Sequence, residues 1–272
     1  MTNIEGKTWN DFGTREGGAW SLYDELIAGV PEGIRVIDYC LGSNWSCVHA
    51  ECGAGVSYTL RGGAEGGKMC DLRGRDLREV AALAKSWHFS EATLGVAALN
   101  AYYSQRERPL MANAVFEQPN DVYHKQDAFS QYKPRIEAMG GNAKVVVVGH
   151  FPHVTDIAEY ANLVVLERNC SNAVDTPDPA CEYVIPEADF LFTTGVTLMN
   201  KTAPRILELS RNAHTVMVGP SAIPAAPLFD RGVNTVAGRV VDDPEGALFA
   251  ARTANRFGDS LRMFNLEATA LS

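Results

Sequence analysis

Hydrophobic positions divide the chain into two halves with different periods. Ala19, Leu22, Tyr23, Leu26, Ile27 and Val30 recur every three to four positions, which predicts a helix from Thr14 onward with one buried stripe. Pro31 and Gly33 end it. Three short segments rich in β-branched and aromatic residues follow at 34–41, 45–51 and 56–60, separated by Gly-Ser-Asn and Cys-Gly-Ala-Gly turns. Links this short suit antiparallel neighbours, because parallel strands need a long crossover, so a three-stranded meander is expected. Leu77, Val80, Ala81, Ala84 and Trp87 then mark a second helix. Ser90 is expected to cap a third, which runs through Tyr103 and is apolar almost all round.

The second half alternates instead. Near-continuous apolar runs at 144–148, 162–166, 188–192, 215–218 and 235–241 read as strands buried on both faces of a parallel α/β sheet. Asp242 and Asp243 before Pro244 announce a last helix. The expected architecture is α/β: an α+β lobe over residues 1–110, with an antiparallel meander plus helices, then a Rossmann-like parallel-sheet domain over 111–272.

Composition narrows the function. Among 272 residues, 24 are basic and 33 acidic, a formal charge of −9, so the basic footprint of a nucleic-acid or anionic-membrane binder is missing. The apolar runs are far shorter than the ~20 residues of a membrane span. The opening thirty residues carry Glu5, Asp11, Glu16, Asp24 and Glu25, unlike a signal peptide, so the expectation is a cytoplasmic protein. Six cysteines in such a chain are expected to be free thiols. The expected partner is a small molecule, with a homodimer expected on base rate alone.

Ligands of an open parallel sheet bind beyond the carboxyl ends of its strands. Here those positions are Gly149-His150-Phe151-Pro152-His153, Glu167-Arg168-Asn169, Thr193-Thr194-Gly195, Gly219-Pro220-Ser221 and Gly238-Arg239. The first turn lacks the later glycines of a dinucleotide fingerprint. Glu167, eighteen residues after Gly149, nonetheless stands where such folds place a carboxylate on ribose hydroxyls. The run from Thr193 to Thr202 supplies hydroxyls and backbone N–H groups suited to an anion, with Thr193, Thr194 and Asn200 as contacts; Thr197 and Thr202 also read as helix N-caps. Ser221 lacks a nucleophile elbow and is read as a binding hydroxyl. His150 and His153, with Asp156, would make an open metal site if they turned inward, and Cys47, His49 and Glu51 share one strand face beside Cys52 and Cys40. Cys170 and Cys181 flank a Pro-rich loop expected to cover the crevice. Asn100, in an otherwise apolar helix, needs partners.

In order, SEATLGVAALNA, KVVVVGHFP, the VVLER strand end, EADFLFTTGVTLMNKT and VMVGPSAIPAAPLF resemble the two-domain heavy-metal chelatase family, in which an enolase-amino-terminal-like domain precedes a Rossmann-like domain. The resemblance spans about 19–243. It implies a site where the first lobe closes over the carboxyl ends of the strands, with a role in metal-chelator (siderophore), pterin or flavin metabolism. By position, Asn100, Gly149, Phe151, Pro152, Glu167, Thr193, Thr194, Gly195, Thr197, Asn200, Thr202, Gly219, Pro220 and Ser221 match its pattern, whereas His150, His153, Cys47, Cys52, Cys170 and Cys181 do not belong to it.

The leading expectation is therefore an enzyme or binder for an anionic polar ligand in the interlobe cleft, with Glu167 and Asn200 as the chemical residues. Rival readings are a metal or metallophore carrier and an S-adenosylmethionine-like transferase. The cofactor stays open between a divalent transition metal and a nucleoside-type ligand.

Overall fold

The computed structural model describes residues 18–65, 67, 70–118 and 127–268. The predicted first helix is shorter than its apolar stripe: a 3-10 turn at Gly18–Trp20 leads into α1 (Ser21–Ala28), and positions 14–17 lie outside the described residues. The meander is present, as β1 (Val36–Leu41), β2 (Trp45–Ala50) and β3 (Gly53–Tyr58), all antiparallel. Its third strand starts three residues before expectation because Gly53–Gly55 pass under a helix. A β-carbon at Gly55 would strike backbone atoms of Ala97, Asn100 and Ala101. That helix is α3 (Phe89–Tyr103), preceded by α2 (Leu77–Ala82). Ser90 does not cap α3: it lies inside the first turn, and His88 holds the N-cap position without a side-chain bond.

The chain enters a second sheet at β4 (Val115–Phe116). After it come α4 (Ala128–Glu137), β5 (Lys144–Val148), β6 (Asn162–Glu167), β7 (Asp175–Pro177), α5 (Cys181–Val184), β8 (Phe190–Thr194), α6 (Val196–Met199), α7 (Ala203–Leu209), β9 (His214–Val218), α8 (Ala226–Phe229), β10 (Val233–Val241), α9 (Pro244–Thr253) and β11 (Leu261–Glu267). The order across this sheet is β4-β11-β10-β9-β8-β5-β6-β7. Strands β5 to β10 run parallel, and β11 turns back antiparallel. Order reverses at the β5/β8 boundary, the topological switch point of a Rossmann-like sheet.

The Pro-rich segment expected to lie over the crevice instead forms β7, an edge strand against β6. Thr202 occupies the N-cap position of α7 and Thr197 sits within α6, yet neither caps with its side chain: Thr202 accepts no cap bond, and Thr197 Oγ1 donates to the Thr194 carbonyl.

The two lobes share one core. Leu22, Tyr23 and Leu26 of α1 and Leu94 to Leu99 of α3 pack in a single cluster with Leu198, Met199, Met217, Val236 and Phe264 of the large sheet and its helices. On the opposite sheet face, α4 lays Tyr132 and Ile136 over Val145, Val147, Phe192 and Val216. There the Tyr132 hydroxyl meets Thr235 Oγ1 and lies 2.9 Å from His214 Nε2.

Burial, followed by the nearby Arg135 charge, pushes the His214 imidazole down to about 4. The unfolded chain then binds the extra proton between about pH 6.5 and 4 while the native state refuses it, so stability falls as pH drops through that window. Urea midpoints at pH 7.5 and 4.5 should therefore converge in His214→Asn relative to the parent chain. An unchanged gap would show that other groups carry the acid sensitivity.

Candidate functional site

At the carboxyl ends of the parallel strands, two glycines adopt left-handed backbone. Gly149 after β5 has φ +98 and Gly219 after β9 has φ +102, a region side chains rarely enter. Their amides still donate across the sheet, to Leu166 and Ala237 carbonyls at 2.9 Å each. A β-carbon at Gly149 would meet Thr194 Cγ2 at 3.2 Å and Phe151 Cε2 at 3.8 Å, and one at Gly219 would lie 3.9 Å from Phe151 Cε1. The phenyl ring of Phe151 thus spans the switch point, backed by Phe129 with ring centroids 5.5 Å apart. Where a dinucleotide turn leaves backbone open to a pyrophosphate, this chain places an aromatic floor.

Arg239 stands on β10, the strand beside the β9 end that carries Gly219. Strand alternation puts it on the face of Thr235 and Ala237, beside α4, and Ala237 is the residue whose carbonyl receives Gly219. Its side chain forms no hydrogen bond or ion pair among the described residues. Burial pushes its guanidinium below the usual range, and the charges of Glu117 and Asp127 oppose that only in part. A desolvated cation left unpaired is costly unless an anion joins it.

Glu167 faces the same end of the sheet but is occupied by backbone. Its carboxylate accepts from the N–H groups of Arg168 at 2.8 Å, His150 at 3.2 Å and Asn169 at 3.4 Å, bracing the loops after β5 and β6. His150 is braced again by Asp175, Nδ1 to Oδ1 at 3.1 Å. The Ser171 and Asn172 amides, with His150, hold the Asp175 carboxyl well below the usual carboxylate range.

The other predicted residues lie along the seam between the lobes. Ser221 is buried, and its Oγ accepts the Tyr58 N–H at 2.8 Å. The Asn100 amide donates to Val56 and Pro220 carbonyls at 3.1 and 3.0 Å. Gly195 allows backbone-to-backbone contact with Ser221 and Ala222. Asn200 Oδ1 is taken by the N–H and hydroxyl of Thr202. Thr193 Oγ1 is buried with no hydrogen-bond partner among the described residues. The predicted residues therefore split: Gly149, Phe151, Thr194 and Gly219 gather at the crevice on the α4 side, while Asn100, Gly195, Pro220 and Ser221 knit the seam. Sequence reasoning placed Gly238-Arg239 among the strand-end positions but gave Arg239 no role, although it is the one basic residue inside the apolar run VNTVAGRVV, and it did not point to Asp175.

A protein-held metal fits these residues poorly. Among the described residues no three His, Cys, Asp or Glu side chains converge. His153 pairs at 3.6 Å with Asp156 on an exposed turn, apart from the His150–Asp175 pair. Burial drives the Cys47 thiol up to about 12, so the thiolate a metal needs is disfavoured there. The expectation of free thiols agrees with all six cysteines being unbridged. No helix among the described residues is long and apolar enough to cross a membrane.

Two family models match the chain in succession, DUF4213 over residues 23–103 and DUF364 over 136–266, and both carry the description "Putative heavy-metal chelation". An uncharacterized protein of Methanocaldococcus jannaschii is 29% identical, with 85% of this chain and 88% of that protein covered. A DUF364-family protein of unknown function from Desulfitobacterium hafniense DCB-2 has a crystal structure that superposes with a TM-score of 0.79 at 30% identity, covering 92% of this chain and 99% of that one. One from Pyrococcus horikoshii superposes at 0.72 with 22% identity over the same shares and supports the fold. With both halves matched in order and the Desulfitobacterium structure aligned over nearly its whole length, the chain belongs to the DUF364 family of two-lobed proteins associated by name with heavy-metal chelation.

Proposed function

We propose that this protein binds a small anionic chelator, and meets heavy metal only as part of that chelate, in the crevice formed by Gly149, Phe151, Thr194, Gly219 and Arg239. The observation that carries this reading is Arg239, a half-buried guanidinium that forms no hydrogen bond or ion pair among the described residues, on the α4 face of the sheet on which Phe151 also packs. Arginine is suited to planar, bidentate pairing with carboxylate, catecholate or phosphate. Siderophore-type chelators offer such groups, and those of the catecholate kind share with pterins and flavins a flat ring to set against Phe151. The Thr194 hydroxyl accepts from the Val196 N–H at 3.3 Å and keeps its own proton to donate. Glu167 acts in this reading through the loops it braces.

Equilibrium dialysis against Ni²⁺ alone, citrate or 2,3-dihydroxybenzoate alone, and the nickel complexes of each tests the reading. Nickel should be retained only with a chelator present, and Arg239→Met should weaken retention at least about tenfold, the loss of one charge-assisted pair. Stoichiometric retention of Ni²⁺ alone, abolished by His150→Ala, would replace this reading with that of a metal carrier. Retention of neither metal nor chelate would sink it outright.

A further inference from the structure

The seam between the lobes holds an amine that the crevice does not use. Lys201, between α6 and α7, has φ +69, a backbone conformation that residues with a β-carbon seldom adopt. Asn200 fixes it there: its Oδ1 accepts the Thr202 N–H at 3.1 Å and the Thr202 hydroxyl at 2.7 Å, wrapping a turn around Lys201. The side chain is thereby directed across the seam into an aromatic cluster from the first lobe. Its Nζ donates to the Met199 carbonyl and lies 5.9, 5.8 and 5.9 Å from the ring centres of Tyr23, Trp87 and Phe89.

Little in this surrounding favours an ammonium ion. Cation–π attraction fades at about 6 Å, so all three rings act at the edge of their range. The Tyr23 hydroxyl is turned to the Leu198 carbonyl, and the Asp24 carboxylate is 2.7 Å from Lys85. Lys201 makes no ion pair among the described residues. His88, between Trp87 and Phe89 in the chain, has a buried Nδ1 with no hydrogen-bond partner among the described residues. Burial alone accordingly pushes the Lys201 amine down to about 7. Access is retained: Lys201 is only partly covered, and Trp87 remains 37% exposed.

We propose that Lys201 is a reactive amine that condenses with small aldehydes, making the seam a second chemical site. The neutral nitrogen adds its lone pair to the carbonyl carbon, and the π electrons pass to oxygen. The carbinolamine then loses water, which carries away the oxygen and both amine hydrogens, leaving a C=N bond with no change of oxidation level. Protonation of that imine by solvent creates a cation close to three ring faces.

Glyoxylate with cyanoborohydride, followed by peptide mass analysis, reads this directly on the unaltered protein. At pH 7, the Lys201 peptide should gain its carboxymethyl mass at least about tenfold faster than those of Lys133 and Lys144; the hydrogen bond to Glu187 holds the Lys144 amine above its ordinary range. The Lys201 rate should level off above a midpoint near pH 7, while that of Lys144 should keep rising. Lys201→Met should remove the fast phase, as should Lys201→Gly, which suits the left-handed backbone. Labelling of Lys201 no faster than of Lys133, or a fast phase surviving in both variants, would overturn the proposal.

Discussion

Replacing Gly195 by alanine is expected to destabilise the protein by about 3 kcal/mol, the upper part of the usual range for overpacking. The backbone of Gly195 has φ −62, which alanine adopts freely, so no conformational penalty arises. Considered alone, the exchange would even stabilise by about 0.4–1 kcal/mol through the unfolded chain. The opposing effect is steric and larger: the new methyl would overlap the carbonyl carbon and oxygen of Ser221 and sit 2.5 Å from Ala222 nitrogen. These are backbone atoms, so no rotamer change relieves them. Because Gly195 N also donates to the Val218 carbonyl at 3.2 Å, separation of the two loops would pull the end of β8 from β9 and shift Thr194 at the crevice. Urea unfolding gives the comparison. A midpoint equal to that of the parent chain would mean that this glycine serves ligand approach, the reading its place after a strand first suggests, and not backbone packing.

That example marks where sequence reading stops. The central strands were legible because burial on both faces makes runs such as Val145–Val148 apolar at every position, and the meander because its turns are too short for anything but antiparallel pairing. The edge strand β7 and the penultimate β11 were not: both mix charged and apolar residues, since β7 has a neighbour on one side only and β11 is flanked on one side by the two-residue β4 alone. Capping residues misled for a local reason. Ser90 and Thr202 have the right chemistry, but backbone direction fixed by packing places them one step inside the helix or in a conformation that cannot cap. For the site, strand-end glycines and threonines pointed to the correct end of the sheet. What periodicity could not reveal was which side of the sheet each residue serves. The first lobe covers Ser221, Pro220 and Gly195, whereas Gly149, Gly219 and Phe151 face α4. Lys201 stood in plain view within TTGVTLMNKT, but its significance depends on rings more than a hundred residues away.

Asn100→Leu is expected to cost about 3 kcal/mol, although the side chains are similar in size and leucine is the better helix former. Asn100 is 1% exposed on α3, where it joins three elements. One amide hydrogen goes to Val56 of β3 at 3.1 Å, the other to Pro220 after β9 at 3.0 Å, and Oδ1 accepts the Ser104 hydroxyl at 2.9 Å. Leucine would strand two carbonyls and a hydroxyl, each costing about 1–3 kcal/mol when buried, against a gain of about 1–2 kcal/mol from apolar burial. The deficit should win. It should fall on the seam in particular, because Pro220 adjoins Ser221, whose hydroxyl holds Tyr58 of the first lobe. Asn100→Asp sharpens the test: at pH 7 its carboxylate would face two carbonyl oxygens with nothing to donate, while a protonated acid restores one bond. Its deficit relative to the parent chain should therefore exceed that of the leucine variant at pH 7 and shrink toward pH 5. Equal stability of the parent and both variants at either pH would show that the lobes are held together without this amide, and that their union rests on the shared hydrophobic core alone.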